Sequence, residues 1–184
     1  MPPVERNLRR EAEARGIAPD RLIFAQRIEY SDYLARYQLA DLFLDTLPFN
    51  GGATASDALW VGLPLVTCSG DAFAARMAGS LLSAAGLPDL VTNSLEDYEV
   101  LALKLARDKK LLDDVKARLN ANLQTCPLFD TDRFRRGIEA AYKAMWERYQ
   151  RGDLPVSFCS ITASGSPTSR ASVHINLPDV ALHR

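Results

Sequence analysis

The chain is poor in the residues that would announce metal, disulfide or hydrolytic chemistry. Its 184 residues include two histidines and three cysteines. Both histidines, His174 and His183, fall in a C-terminal stretch rich in Ser, Thr, Gly and Pro, so no general-base histidine anchored in a folded site is expected. Cys68, Cys126 and Cys159 are odd in number, widely spaced and free of any CxxC. That pattern argues against a disulfide framework and a zinc site and fits a reducing cytoplasm. Cys68 reads as a small core residue, because nothing near it in sequence would activate a thiolate. No run approaches the roughly 18 consecutive apolar residues of a membrane span, and the start MPPVER is not a secretory signal. Charge of one sign is not in excess either. With 22 Lys and Arg against 23 Asp and Glu, the formal charge is -1, which leaves no broad basic field for nucleic acid.

What is present is a 47% hydrophobic composition, enough for the core of one domain. Val4, Leu8 and Ala12 at spacing four predict a surface helix closed by Gly16. Apolar runs predict buried parallel-type strands over Arg21–Ala25, Ala40–Thr46, Leu63–Cys68 and Asp89–Thr92. Helices are expected between them: Tyr33–Gln38 capped by Ser31 or Asp32, Ala53–Val61 ended by Gly62, and Asp71–Ala85 with Phe73, Met77, Leu81 and Leu82 on one core stripe. Ser94 with Asp97 three residues on starts another helix, with Tyr98, Leu101 and Leu105 inward. Two more follow, from Asp108 to about Leu123 and from Asp130 through Tyr149. Alternating strands and helices make this an α/β chain with a Rossmann-like parallel sheet. From about Ser157 the composition reads as a disordered tail whose deletion leaves folding intact. Residues 1–155 are expected to form the domain and 156–184 the tail.

The stretch Asn50-Gly51-Gly52-Ala53-Thr54-Ala55-Ser56-Asp57 joins the second strand to a helix. A helix start exposes unpaired N–H groups and the positive end of the macrodipole, so a small-residue loop feeding it is a seat for phosphate. The same residues also fit a plain turn, with Thr54 as N-cap and Asp57 as a first-turn acid. Ligands of open α/β sheets bind at the strands' C-terminal ends. There Arg36 offers a planar fork for a diphosphate, or pairs with Asp32 on its own helix. No Asp-x-Asp stands beside the loop, so no metal is expected.

Those residues, in their order, resemble the C-terminal catalytic half of protein O-GlcNAc transferases, bacterial relatives included: GT-B glycosyltransferases of family 41. The resemblance rests on Leu39–Thr46, Asn50–Trp60 with Gly62-Leu63-Pro64, Phe73–Leu82, Pro127–Asp130 and Tyr142–Trp146, and runs from about Pro3 to about Pro155. It implies the domain that holds a UDP-sugar, UDP-GlcNAc serving as donor substrate rather than cofactor, with protein Ser/Thr hydroxyls as acceptors. By the same resemblance Arg36 and Thr54 face the phosphates and Asp57 the ribose, while Ile28, Glu29 and Tyr30 meet the base. Gly52 and Ala53 stand where the family has a histidine and a threonine, Tyr30 replaces a lysine, and Tyr33 replaces a histidine. An aromatic ring at Tyr30 or Tyr33 can stack on a base but supplies no charge. No catalytic residue is assigned in this stretch. The family's upstream GT-B domain, its phosphate lysine and its helical repeats are expected to lie outside these residues, and no repeat of about 34 residues occurs within them. The chain assayed alone is expected to hold the donor without turning it over. The rival readings are a nucleotide-binding module without activity and a scaffold domain left after loss of the upstream half.

Overall fold

A computed structural model describes residues 3–156, and the tail with Cys159, His174 and His183 lies outside them. The chain divides into two compact units, Met1–Phe129 and Asp130–Arg184. In the first, α1 (Pro3–Ala14) is held by Glu5–Arg9 and Glu11–Arg15 ion pairs one turn apart. It ends at Gly16, whose φ of +73° is the left-handed conformation that a side chain resists.

The expected strand over Arg21–Ala25 does not form. Pro19–Arg21 makes one 3-10 turn and residues 22–29 run on as irregular chain. Leu22, Ile23 and Phe24 line a hollow with Leu8 and Ala12 of α1 instead of joining the sheet. An apolar run gives a preference for burial, whereas a strand also needs a neighbouring strand for its N–H and C=O groups, and among the described residues none lies against this segment. Ile23 is 88% exposed. Ile23→Ala is therefore expected to change stability by less than about 0.5 kcal/mol in urea unfolding, where a buried strand residue would cost roughly 2–5 kcal/mol.

After α2 (Tyr30–Tyr37) come β1 (Phe43–Leu44), α3 (Ala53–Trp60), β2 (Leu65–Cys68), α4 (Met77–Ala84) and β3 (Val91–Thr92). The sheet order is β1-β2-β3, all parallel, with Phe43 opposite Leu65 and Thr67 opposite Val91. β2 is central and every one of its residues is buried, as the unbroken Leu-Val-Thr-Cys run requires. β1 is one of the two edges, shorter than Ala40–Thr46, and its Leu44 is exposed.

Helix α2 begins three residues earlier than expected, with Glu29 at the N-cap rather than Ser31 or Asp32. The helix expected over Asp71–Ala85 is broken. The Gly70 N–H bonds the Ala75 carbonyl, which folds Phe73–Ala75 into a 3-10 turn and delays α4 to Met77. As a result Ala75 is buried and Phe73, expected in the core, is 75% exposed. The core joins Leu59 of α3, Leu65 and Val66 of β2, and Leu82 of α4. Leu105 of α5 (Leu95–Arg107) and Leu119 of α6 (Lys109–Asn122) complete it. Both late helices carry side-chain caps, Ser94 accepting from Asp97 N–H and Asp108 from Leu111 N–H.

The second unit is α7 (Thr131–Gln150), started by Asp130, which accepts from Arg133 N–H at 2.8 Å. Arg135–Glu139 and Lys143–Glu147 pairs lie along it, and Phe134, Tyr142, Met145 and Trp146 are exposed. No helix among the described residues is long and apolar enough to cross a membrane.

Candidate functional site

The backbone ladder carries β1 one residue beyond Leu44. Asp45 N–H bonds the Val66 carbonyl, so the side chain of Asp45 stands at the C-terminal end of the strand. That carboxylate is buried and fully used. Oδ1 accepts the Gly51 N–H at 2.7 Å and Oδ2 accepts the Thr67 hydroxyl at 2.6 Å. Asn50 is also buried. Its N–H goes to the Ala74 carbonyl and its Nδ2 to the Thr46 carbonyl, while its Oδ1 has no partner among the described residues. Orphaned buried acceptors are rare and accumulate in loops built for something other than stability.

Gly51 leaves no room for a side chain: a Cβ there would lie 2.8 Å from Thr54 Oγ1 and 3.3 Å from Asp45 Oδ1. Gly52 takes the N-cap of α3 and has no side chain with which to cap it. Thr54, read as a possible cap, sits inside the first turn instead. The first intrahelical bond of α3 runs from Ser56 N–H to the Gly52 carbonyl. The amides of Gly52, Ala53, Thr54 and Ala55 therefore precede the ladder and have no acceptor among the described residues. Ala53 and Thr54 are exposed and Gly52 is half-buried, so the first turn of the helix, with the positive end of its dipole, lies at the surface.

The structure brings α2 against this helix start. Asp57, one turn into α3, accepts the Tyr30 hydroxyl on Oδ1 at 2.9 Å. Tyr33 and Tyr37 share a hydroxyl–hydroxyl bond of 2.6 Å, and Tyr37 O–H reaches the Thr54 carbonyl at 3.4 Å. Tyr30 stacks on Tyr33 with ring centroids 5.9 Å apart. Arg36 does not pair with Asp32; its Nη1 donates to the Gln26 carbonyl at 2.9 Å, and its guanidinium lies 5.8 Å from the centre of the Tyr33 ring. With Tyr37 and Ala40, Tyr33 and Arg36 line a hollow of about 260 Å³. Ile28 and Glu29 are exposed just ahead of α2. Tyr30, Tyr33, Tyr37, Thr54 and Asp57 thus form one connected patch that Arg36 joins through the Tyr33 ring; Gly52 and Ala53 adjoin it in sequence, and Arg36 has no hydrogen bond to residues 52–54 among the described residues. Ile28 and Glu29 sit at its margin, with no side-chain bond to the others.

Three residues here were not anticipated: Tyr37 in the patch, and the buried Asp45 and Thr67 beside the loop. Tyr37 was legible, since tyrosines at 30, 33 and 37 follow the spacing that puts side chains on one side of a helix. Asp45 and Thr67 leave a fainter signal: polar residues ending or interrupting apolar strands beside a glycine pair. The bond to Asp57 holds the Tyr30 phenol above its usual pKa, and burial first, then the Tyr33 bond, raises that of Tyr37. Both stay protonated donors at neutral pH. A raised folded pKa means that the Tyr37 contribution is complete below the unfolded value near 10 and is lost as pH rises beyond it. Melting scans from pH 8 to 12 should show a falling midpoint above about pH 10, shallower in Tyr37→Phe.

The profile of Glycosyl transferase family 41 matches residues 2–138. The chain belongs to that family. It is 41% identical over 155 residues to the Arabidopsis thaliana probable UDP-N-acetylglucosamine–peptide N-acetylglucosaminyltransferase SEC, covering 84% of this chain and 16% of that protein. To the Caenorhabditis elegans UDP-N-acetylglucosamine–peptide N-acetylglucosaminyltransferase it is 34% identical over 152 residues, 83% of this chain and 13% of that one. A solved mutant O-GlcNAc transferase from Thermobaculum terrenum superposes with a TM-score of 0.77 at 38% identity, over 82% of this chain and 29% of the other. The family 41 chain therefore spans about a sixth or less of the curated relatives quoted. Among its described residues no group of three or more His, Cys, Asp or Glu is placed to hold a metal.

Proposed function

We propose that residues 1–155 form the donor-holding domain of a protein O-GlcNAc-transferase-like enzyme, seating UDP-GlcNAc for transfer of N-acetylglucosamine to Ser or Thr hydroxyls of proteins. The observation that carries this is the uncapped start of α3, open at the end of β1 with Asp57 one turn in and Arg36 on the helix beside it. Amides of Gly52, Ala53 and Thr54 and the Arg36 fork suit a diphosphate, the Thr54 hydroxyl adds a donor, and Asp57 suits the ribose hydroxyls. Tyr30 and Tyr33 offer rings, and Ile28 and Glu29 backbone, to the base. In the reaction the acceptor oxygen bonds to the sugar's anomeric carbon, the bond from that carbon to the diphosphate oxygen breaks, and the hydroxyl proton passes to the leaving diphosphate or to water. Charge grows on the leaving diphosphate, and fixed donors aimed at it are the main protein contribution. The buried free thiols of Cys68 and Cys126 support a reducing, cytoplasmic setting.

A second reading is favoured by one contact. Tyr30 already occupies one Asp57 oxygen, as suits a nucleotide-binding module with weakened donor affinity. An NMR titration of the ¹⁵N-labelled chain with UDP tests both, with shifts expected at the amides of residues 52–54 and a dissociation constant nearer millimolar than micromolar. Absence of shifts there would sink the donor-site reading. Transfer to an acceptor peptide, assayed with the protein's catalytic partner domain supplied, separates the enzyme from the inactive module.

A further inference from the structure

We propose that Asp45 is a positioning residue of the donor loop, and that its buried carboxylate turns the Gly51 amide inward so that the next three amides face outward. The inference rests on the donor-site reading above. Asp45 is 6% exposed, stands outside the face assigned to the nucleotide, and spends both carboxylate oxygens on protein donors. Each donor comes from a different part of the domain. The Thr67 hydroxyl comes from the centre of β2 and fixes the roll of the carboxylate, and the Gly51 N–H comes from the loop that this carboxylate then restrains.

The restraint reaches further into the sheet. Thr92 of β3 donates its hydroxyl to the Thr67 carbonyl at 3.0 Å, and Tyr98 of α5 donates to the Asp45 backbone carbonyl at 2.9 Å. The conformation at the start of α3 is thus referred to all three strands through one side chain. Gly51 suits this packing, since a Cβ there would come within 2.8 Å of Thr54 Oγ1 and press on the carboxylate at 3.3 Å. A charge-assisted bond of 2.7 Å inside a low-dielectric site is among the stronger ones a loop can make. Loss of it frees Gly51 to rotate and the following amides to disperse, and phosphate recognition depends on their convergence.

The test is UDP titration of the full chain and of Asp45→Ala and Asp45→Asn, followed by ¹⁵N amide shifts and by melting. Asparagine keeps an acceptor for Gly51 and a group that can bond the Thr67 hydroxyl, so it should bind within about threefold of wild type, whereas alanine should lose about tenfold or more. In the alanine variant the Gly51 amide should move and the UDP-induced shifts at residues 52–54 should collapse; in asparagine both should persist. Unchanged UDP affinity in a folded Asp45→Ala would overturn the inference while leaving the donor site standing, as would equal loss in both variants, which would assign the effect to charge. If alanine fails to fold, Thr67→Val, which removes only the bond to Oδ2, takes its place. It should weaken UDP about threefold, and unchanged affinity would again refute the positioning role. Wild type without UDP-induced shifts would bring down the donor-site reading and this inference with it.

Discussion

Asp57→Ala and Arg36→Ala are each expected to weaken UDP binding by on the order of tenfold to a hundredfold. A carboxylate bonded to ribose hydroxyls and a guanidinium on phosphate are each worth roughly 1.5–3 kcal/mol, and each 1.4 kcal/mol is a factor of ten. Asp57 lies one turn inside α3 and makes no side-chain cap to the helix-start amides. One of its oxygens is held by Tyr30. Tyr30→Phe should consequently not weaken UDP as the alanine variants do, because it releases an acceptor for the ribose while keeping the ring. Arg36 has one donor committed to the Gln26 carbonyl. Arg36→Lys should recover only part of the loss, since an ammonium cannot place two parallel donors on a phosphate. Calorimetric titration of the four variants against wild type decides this, and unchanged affinity in both alanine variants would move the ligand elsewhere.

Sequence carried the parts of this fold that depend on near neighbours. Ser94, Asp108 and Asp130 begin helices because their side chains bond amides three residues ahead, and Gly16, Gly62 and Gly86 close helices by adopting positive φ. β2 was legible because a central strand is apolar on both faces. The misread elements turn on distant partners. Residues 22–25 have strand composition but no strand beside them among the described residues, and the 3-10 turn at Phe73–Ala75 is tied through the Ala74 carbonyl to Asn50 N–H of the preceding loop. At the site, the loop and its residue types were visible in the chain. The Asp45–Thr67 and Tyr30–Asp57 bonds join residues 22 and 27 positions apart, and no local pattern encodes them.

The substitution expected to cost most in stability is Leu59→Ala. Leu59 is fully buried in α3, whose exposed N-terminal turn is the proposed phosphate seat. Its side chain fills the core shared by β2, α4, α5 and α6, so truncation loses both transfer free energy and contacts around the void, roughly 2–5 kcal/mol. Against a usual total of about 5–15 kcal/mol that is a large fraction, and the melting midpoint should fall by on the order of 10 °C. Phe73→Ala, which removes a larger but 75% exposed side chain, should leave it nearly unchanged. A fall of several degrees in Phe73→Ala would instead mean that Phe73 is packed in the core, as a single helix over Asp71–Ala85 requires. Ligand linkage adds a further check. UDP at about ten times its dissociation constant should restore about 1.4 kcal/mol to wild type and Leu59→Ala alike, because it binds only the folded form. Restoration in the wild type but not in the variant would mean that the missing side chain also holds the helix start in its binding conformation.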